Sequence, residues 1–112
     1  MTDIPQIPAE EAAQRIESGA LLLDVREPDE WAAGHAPGAK HVPLGELAAR
    51  IDELPNDRPI VAVCRAGGRS GQATQALVGS GYDVVNLAGG MRAWDAAGQQ
   101  VVTDDGATGT VI

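Results

Sequence analysis

A single cysteine, no phenylalanine and only three aromatic residues mark this chain of 112 residues. One cysteine leaves no disulfide to be made within the chain, and a reducing compartment, the cytoplasm, is expected. A core without Phe must be filled by Leu, Ile, Val and Ala, with Trp31, Trp94 and Tyr82 as isolated large groups. Positive charge is also scarce: 8 Lys plus Arg stand against 16 Asp plus Glu, for a net charge of −8. Without a basic cluster the chain lacks what nucleic acid and anionic membranes require, the positive charge that displaces counterions, so neither is expected as a partner. No apolar run approaches the roughly 18 residues of a membrane-spanning helix. The opening MTDIPQIP has neither a basic region nor an apolar stretch, which predicts no secretory leader.

What is present is ordinary material for one small globular domain. The length suits a single core, and 44% of the residues are hydrophobic. Pro8, Glu10, Glu11 and Gly19 punctuate a first helix over 8–18. LLLDV (21–25) and PIVAVC (59–64) are short continuous apolar runs, the pattern of strands covered on both faces. A short helix is expected over 28–33, a short strand near 40–42, and an amphipathic helix over 44–54, where Leu44, Leu47, Ala48, Ile51 and Leu54 share one face. A helix over 70–79, the strand YDVVNL, a turn at Gly89 and Gly90, and a last helix over 91–97 complete the series. Alternating strands and helices predict an α/β domain with a mainly parallel sheet flanked by helices. The domain is expected over 1–103, and the polar, Gly-rich segment 104–112 reads as a mobile tail.

The lone cysteine sits in CRAGGRS (64–70), directly after the most strand-like run of the chain. Between Arg58 and Tyr82 there are three arginines and no acidic residue, so an otherwise acidic protein keeps one positive window around Cys64. One reading makes the window a core strand and an Ala/Gly-rich helix, with Cys64 a small buried hydrophobe. The other makes it a site for an anion. Gly67 and Gly68 let the backbone curl, and successive N–H groups can then point inward as a nest at a helix start. Arg65 and Arg69 add full charges, and a thiol there is drawn toward thiolate from its usual value of about 8.5. Two arginines flanking two glycines favour the second reading.

Other chemistries fit less well. Zinc needs about four ligands, or three and water, and the chain offers one Cys and two separated histidines, His35 and His41. Those two read as turn or surface residues, although a Cys–His pair stays open. GRSGQ is no G-x-S-x-G elbow, because position 72 is Gln, and there is no G-x-x-x-x-G-K-[ST] loop.

Four stretches in order, LLLDVREPDEW, GHAPGAKHVP, IVAVCRAGGRS and VVNLAGGMRAW, resemble the rhodanese family of sulfurtransferases over about residues 5–98. The resemblance implies a small rhodanese-like α/β domain with Cys64 as the catalytic nucleophile. It implies a substrate-binding loop of Arg65, Ala66, Gly67, Gly68, Arg69 and Ser70. No metal or organic cofactor is implied. In the implied reaction, Cys64 takes a sulfane sulfur from a small anionic donor such as thiosulfate and passes it to a thiol or to cyanide, with Arg65 and Arg69 orienting the donor. Related cysteine phosphatases carry C-x5-R, whereas this loop is C-x4-R with Ser70 at the next position, a smaller ring suited to one terminal sulfur. An alternative within the resemblance is a persulfide carrier that exchanges sulfur with protein donors and acceptors and uses little thiosulfate. The remaining motifs read as structural: Asp24 and Arg26 tie a strand end to its neighbours, Trp31 packs the short helix or walls the pocket mouth, and Trp94 anchors the last helix.

Overall fold

A computed structural model describes residues 4–112. Five parallel strands, β1 (Gln6–Ile7), β2 (Leu21–Asp24), β3 (Lys40–His41), β4 (Ile60–Val63) and β5 (Val84–Leu87), form one sheet in the order β1-β5-β4-β2-β3. The helices are α1 (Ala9–Glu17), α2 (Pro28–Ala33), α3 (Gly68–Gly79) and α4 (Gly90–Ala96). This is the parallel α/β architecture that the alternation of patterns predicts.

Strand β4 shows why its sequence is apolar throughout. Side chains along a strand alternate between faces, so a strand covered on both sides needs apolar residues at every position. Val61 and Val63 pack with Leu22, Leu87, Met91 and Trp94 on the face covered by α1 and α4. Ile60, Ala62 and Cys64 pack with Leu23, Val25, Ala73 and Leu77 on the opposite face, against α3. Cys64 is thus the last side chain of a buried row. Trp94 is buried and donates Nε1–H to the Gln100 carbonyl at 2.9 Å, anchoring α4 as expected.

Three local features differ from the sequence reading or lie outside it. Strand β1 is only two residues long, too short to leave a sequence pattern, and it exists through its pairing with β5, Gln6 opposite Asn86. Residues 44–54 do not form one amphipathic helix. They form two 3₁₀ turns, Leu44–Glu46 and Ile51–Glu53, interrupted at Arg50, whose φ of −112° and ψ of 14° leave the helical region. The pairs Leu44/Leu47 and Ile51/Leu54 are three residues apart, a spacing that a 3₁₀ turn also stacks on one side. Leu47 and Leu54 are buried accordingly.

The third is the segment after Thr103, read from composition as a mobile tail; in the structure it is docked. Val102 bridges His35, with N–H···O distances of 2.9 and 2.8 Å in the two directions. A turn closes from Thr103 N–H to the Ala107 carbonyl, and the chain then returns so that Gly109 bonds Val101 and Thr110 bonds the Ala33 carbonyl at the end of α2. Backbone pairing of this kind depends little on side-chain type, so composition gives no sign of it.

The strand order reverses direction between β2 and β4, which are paired with Asp24 opposite Val63. In open parallel sheets a crevice forms at that place beyond the carboxyl ends of the strands. The residues that follow β2 and β4, Arg26 and Cys64, therefore meet at the same end of the sheet.

Candidate active site

The loop from Cys64 to Gly67 joins β4 to α3, and the helix begins at Gly68, two residues before the sequence expectation. Gly67 caps it with φ of +113°, a conformation natural to glycine. The curl aims donors at the cysteine sulfur. Gly67 N–H lies 3.0 Å from Cys64 Sγ, and the Ser70 hydroxyl lies 3.3 Å away. Burial, the largest single influence, pushes the Cys64 thiol up. The Ser70 hydroxyl and the backbone N–H groups of Ser70, Gly67 and Ala66 outweigh it, so the thiol lies below its ordinary value. Cys64 is 1% exposed, so it is a packed core residue and an activated thiol at once.

The loop is braced from β5 and α4. Asn86 on β5 donates Nδ2–H to the Gly67 carbonyl and to Gln6 Oε1, both at 3.2 Å. Its Oδ1 accepts from the Ser70 hydroxyl at 2.6 Å. Ser70 lies in the first turn of α3, fully buried, between Asn86 and Cys64. From the next turn, Met91 N–H bonds the Cys64 carbonyl at 2.7 Å and Arg92 N–H bonds the Arg65 carbonyl at 3.1 Å. Gly90 makes this approach possible: a Cβ there would sit 2.5 Å from both the Cys64 and Arg65 carbonyl oxygens. The AGG turn thus shapes the Cys64 loop from outside it.

The two arginines expected to receive an anion are both engaged. Arg69 forms a two-pronged ion pair with Glu30 of α2, Nη1 to Oε1 at 2.6 Å and Nη2 to Oε2 at 2.8 Å. The hydrogen bond from Arg69 holds the Glu30 carboxyl well down, to about 2, against the opposing effect of burial. Arg65 is exposed and donates Nε–H to the Ile112 main-chain oxygen at 2.8 Å.

Glu30 is itself positioned. Its carboxylate accepts from Glu27 N–H at 3.0 Å, one half of a capping box that starts α2. Its carbonyl accepts from Arg26 Nη1 at 3.3 Å. Arg26 and Asp24 are both 0% exposed and pair through several hydrogen bonds, the shortest Nη2 to Oδ2 at 2.7 Å. Arg26 Nη2 also reaches the Gly34 carbonyl at 2.8 Å. Asp24 and Arg26 therefore tie the end of β2 to both ends of α2, the structural part expected of them, and none of these bonds goes to the cysteine loop.

Trp31 stacks in parallel on His35 at 3.6 Å between ring centroids and on His41 at 4.7 Å. His35 is not the turn or surface residue expected: it is buried, because Trp31 covers its ring. Its Nδ1 bonds the Trp31 carbonyl and its Nε2 faces Asp104 of the docked tail at 3.4 Å. His41 Nε2 bonds the Arg26 carbonyl at 2.7 Å. Neither ring has a hydrogen bond to Cys64, so the Cys–His pair left open by the sequence is not formed.

Sequence reading names Cys64 and the loop from Arg65 to Ser70 as the candidate site, and it does not name Asn86, Glu30 or the Ile112 main-chain oxygen, which the structure places in contact with that loop. For Asn86 the available signal is an amide inside an otherwise apolar strand, since such a group is stable there only when its hydrogen bonds are met. For Glu30 the signal is the capping-box spacing, which explains its hydrogen bond to Glu27 but says nothing of Arg69.

The rhodanese-like domain family matches residues 8–97. A sulfurtransferase of Allochromatium vinosum is 39% identical over 106 residues, covering 92% of this chain and 99% of that protein. The thiosulfate sulfurtransferase GlpE of Pseudomonas syringae is 39% identical over 95 residues, covering 84% of this chain and 90% of its own. Among solved structures, a rhodanese-related protein from Thermoplasma volcanium superposes with a TM-score of 0.85 at 30% identity, over 89% of this chain and 99% of the other.

Proposed function

The chain belongs to the rhodanese-like domain family, and from that premise we propose that it transfers a sulfane sulfur through a persulfide on Cys64. The observation that carries this reading is the surroundings of Cys64 Sγ. An activated sulfur at the end of a buried strand is bordered by Gly67 N–H, the Ser70 hydroxyl and the start of α3. Arg65, Ala66, Gly67, Gly68, Arg69 and Ser70 supply the binding loop.

The reaction is a double displacement. The Cys64 thiolate attacks the outer sulfur of the donor. A bond forms between Sγ and that sulfur, the donor's sulfur–sulfur bond breaks, and the leaving group departs with the electron pair, as sulfite when the donor is thiosulfate. The persulfide on Cys64 carries its terminal sulfur among the loop N–H groups, which stabilise negative charge there. An acceptor then attacks that terminal sulfur. Cyanide leaves as thiocyanate and a thiol leaves as a persulfide, and each returns Cys64 as thiolate. One cysteine suffices for this cycle, and a reducing cytoplasm suits it.

A second reading, a carrier that takes its sulfur from another persulfide and makes little use of thiosulfate, draws support from the Arg69–Glu30 pair. That pair occupies one of the two cations a free anionic donor would use.

Intact mass after incubation with thiosulfate or a persulfide donor tests sulfur transfer. Wild type is expected to gain one sulfur that cyanide removes, and folded Cys64→Ser to gain none. Sulfur uptake by Cys64→Ser, or none by folded wild type from any donor, rejects the mechanism.

A further inference from the structure

The charges around Cys64 cancel more completely than the sequence suggests. Arg69 brings a positive charge, but Glu30 meets it with both carboxylate oxygens. Glu27 adds a further negative charge acting on Arg69 through space. Arg26, a third cation at this end of the sheet, is consumed by Asp24. Arg58, the remaining arginine of the positive window, donates to the Gly19 carbonyl, 39 residues away in sequence. Arg65 in the loop donates to the Ile112 main-chain oxygen, and the Cys64 sulfur, when ionised, adds a further negative charge acting on Arg69. A donor therefore meets an Arg69 whose charge is already opposed by a carboxylate.

We propose that Glu30 is a specificity-determining residue, which by neutralising Arg69 turns the site away from a free doubly charged donor and toward sulfane sulfur presented as a persulfide. This rests on the sulfur-transfer reading and names its donor class. Thiosulfate carries two charges on a small ion and needs a net positive site to replace its hydration. A persulfide presents at most one charge on its terminal sulfur, and the loop N–H groups and the Ser70 hydroxyl suffice for that. Glu30 touches no reacting atom in this scheme. It acts through Arg69, and its own place is set by the capping box at Glu27 N–H and by Arg26 at its carbonyl.

The chemistry in the persulfide case balances without a further reagent. The Cys64 thiolate forms a bond to the donor's terminal sulfur, the donor's sulfur–sulfur bond breaks, and the donor thiolate leaves with the electron pair. Small-molecule and protein persulfides share this step, and separate experimental arms distinguish them.

The test compares wild type with Glu30→Gln, which keeps an oxygen for Glu27 N–H and removes the charge. Sulfur loading is measured with thiosulfate, with cysteine persulfide, and with a cysteine desulfurase carrying a persulfide. Wild type is expected to load faster from one or both persulfides than from thiosulfate, and the faster arm identifies the source. In Glu30→Gln, kcat/KM for thiosulfate relative to cysteine persulfide is expected to rise about tenfold, mainly through KM, as fits one charge removed beside a dianion. The thiosulfate rate should also become steeply salt-sensitive in the variant while staying nearly flat in wild type, a change that a merely structural role would not produce. The wild-type salt profile alone keeps the proposal testable should the variant not fold: a steep fall with salt overturns it. An unchanged or falling donor ratio in folded, sulfur-loading Glu30→Gln overturns the role of Glu30 and leaves sulfur transfer standing. Failure of both proteins to load from any donor overturns sulfur transfer itself, and this inference with it.

Discussion

The Ser70 hydroxyl and the Asn86 side-chain carbonyl lie 2.6 Å apart within the domain, and the same hydroxyl is 3.3 Å from Cys64 Sγ. A hydroxyl has one proton, so it donates to one of these acceptors at a time. When Cys64 is a thiolate, turning the proton toward sulfur stabilises the charge. When Cys64 is a thiol, the Ser70 hydroxyl can keep donating to Asn86 Oδ1 while its oxygen accepts from S–H. The state of the thiol and the anchoring of the loop are therefore coupled through one serine.

Ser70→Ala should raise the Cys64 pKa. The hydroxyl lowers it by donating to the thiolate, so its removal moves the midpoint of the pH profile for iodoacetamide alkylation upward. Alkylation below that midpoint should slow about tenfold or more, in keeping with a hydrogen bond to a charged group of about 1.5–3 kcal/mol. A profile unmoved by Ser70→Ala would mean that the backbone donors alone set the thiol's acidity.

Gly90→Ala tests the outer brace. The residue has φ of +62°, and the new Cβ would press on the Cys64 and Arg65 carbonyl oxygens at 2.5 Å, against backbone rather than a yielding side-chain end. Conformational strain alone is about 1–3 kcal/mol, and the clash adds to it. A lower midpoint of urea unfolding and slower sulfur loading are expected together, since the Met91 N–H bond to the Cys64 carbonyl must lengthen. Unfolding at the wild-type midpoint would show that the loop gives way freely.

Asp24→Asn should be among the most destabilising single changes. It leaves Arg26 charged, fully buried and without its counter-ion, for which about 3–5 kcal/mol is the usual loss. Arg15→Gln, which breaks the exposed Arg15–Glu11 pair, is the control and should change stability by less than about 1 kcal/mol. Denaturant unfolding of the two variants side by side checks the contrast, and equal losses would refute the argument from burial.

The Glu30–Arg69 pair sets a pH window for stability. The folded carboxyl lies at about 2, below its ordinary 4.5, so the pair's contribution is present above 4.5 and is lost as pH falls toward 2. Glu30→Gln has no such carboxyl. The stability difference between wild type and variant should therefore shrink steadily between those values and be constant above them, as read from denaturant midpoints at each pH. A difference independent of pH down to 2 would mean that the ion pair adds nothing to the fold.

Much of this protein is legible in its sequence because the physics involved is local. Continuous apolar runs mark strands buried on both faces, and glycines and prolines mark where the chain must turn. C-x-x-x-x-R after a buried strand and before a helix marks the cysteine loop. The one long local misreading, residues 44–54, has the same root: a spacing of three residues suits an α-helix and a 3₁₀ turn alike, and nothing local chooses between them. What tertiary structure alone decided is which charges and dipoles face each other. Arg69 meets Glu30 across 39 positions, Asn86 meets Ser70 across 16, and Arg65 meets a main-chain oxygen 47 residues on. Hydrogen bonds and ion pairs need atoms within about 3 Å, and only the folded sheet, bringing the ends of β2, β4 and β5 together, sets distances that small between residues so far apart. The sequence by itself determined that Cys64 would sit at the mouth of a parallel sheet; folding determined which charges would surround it.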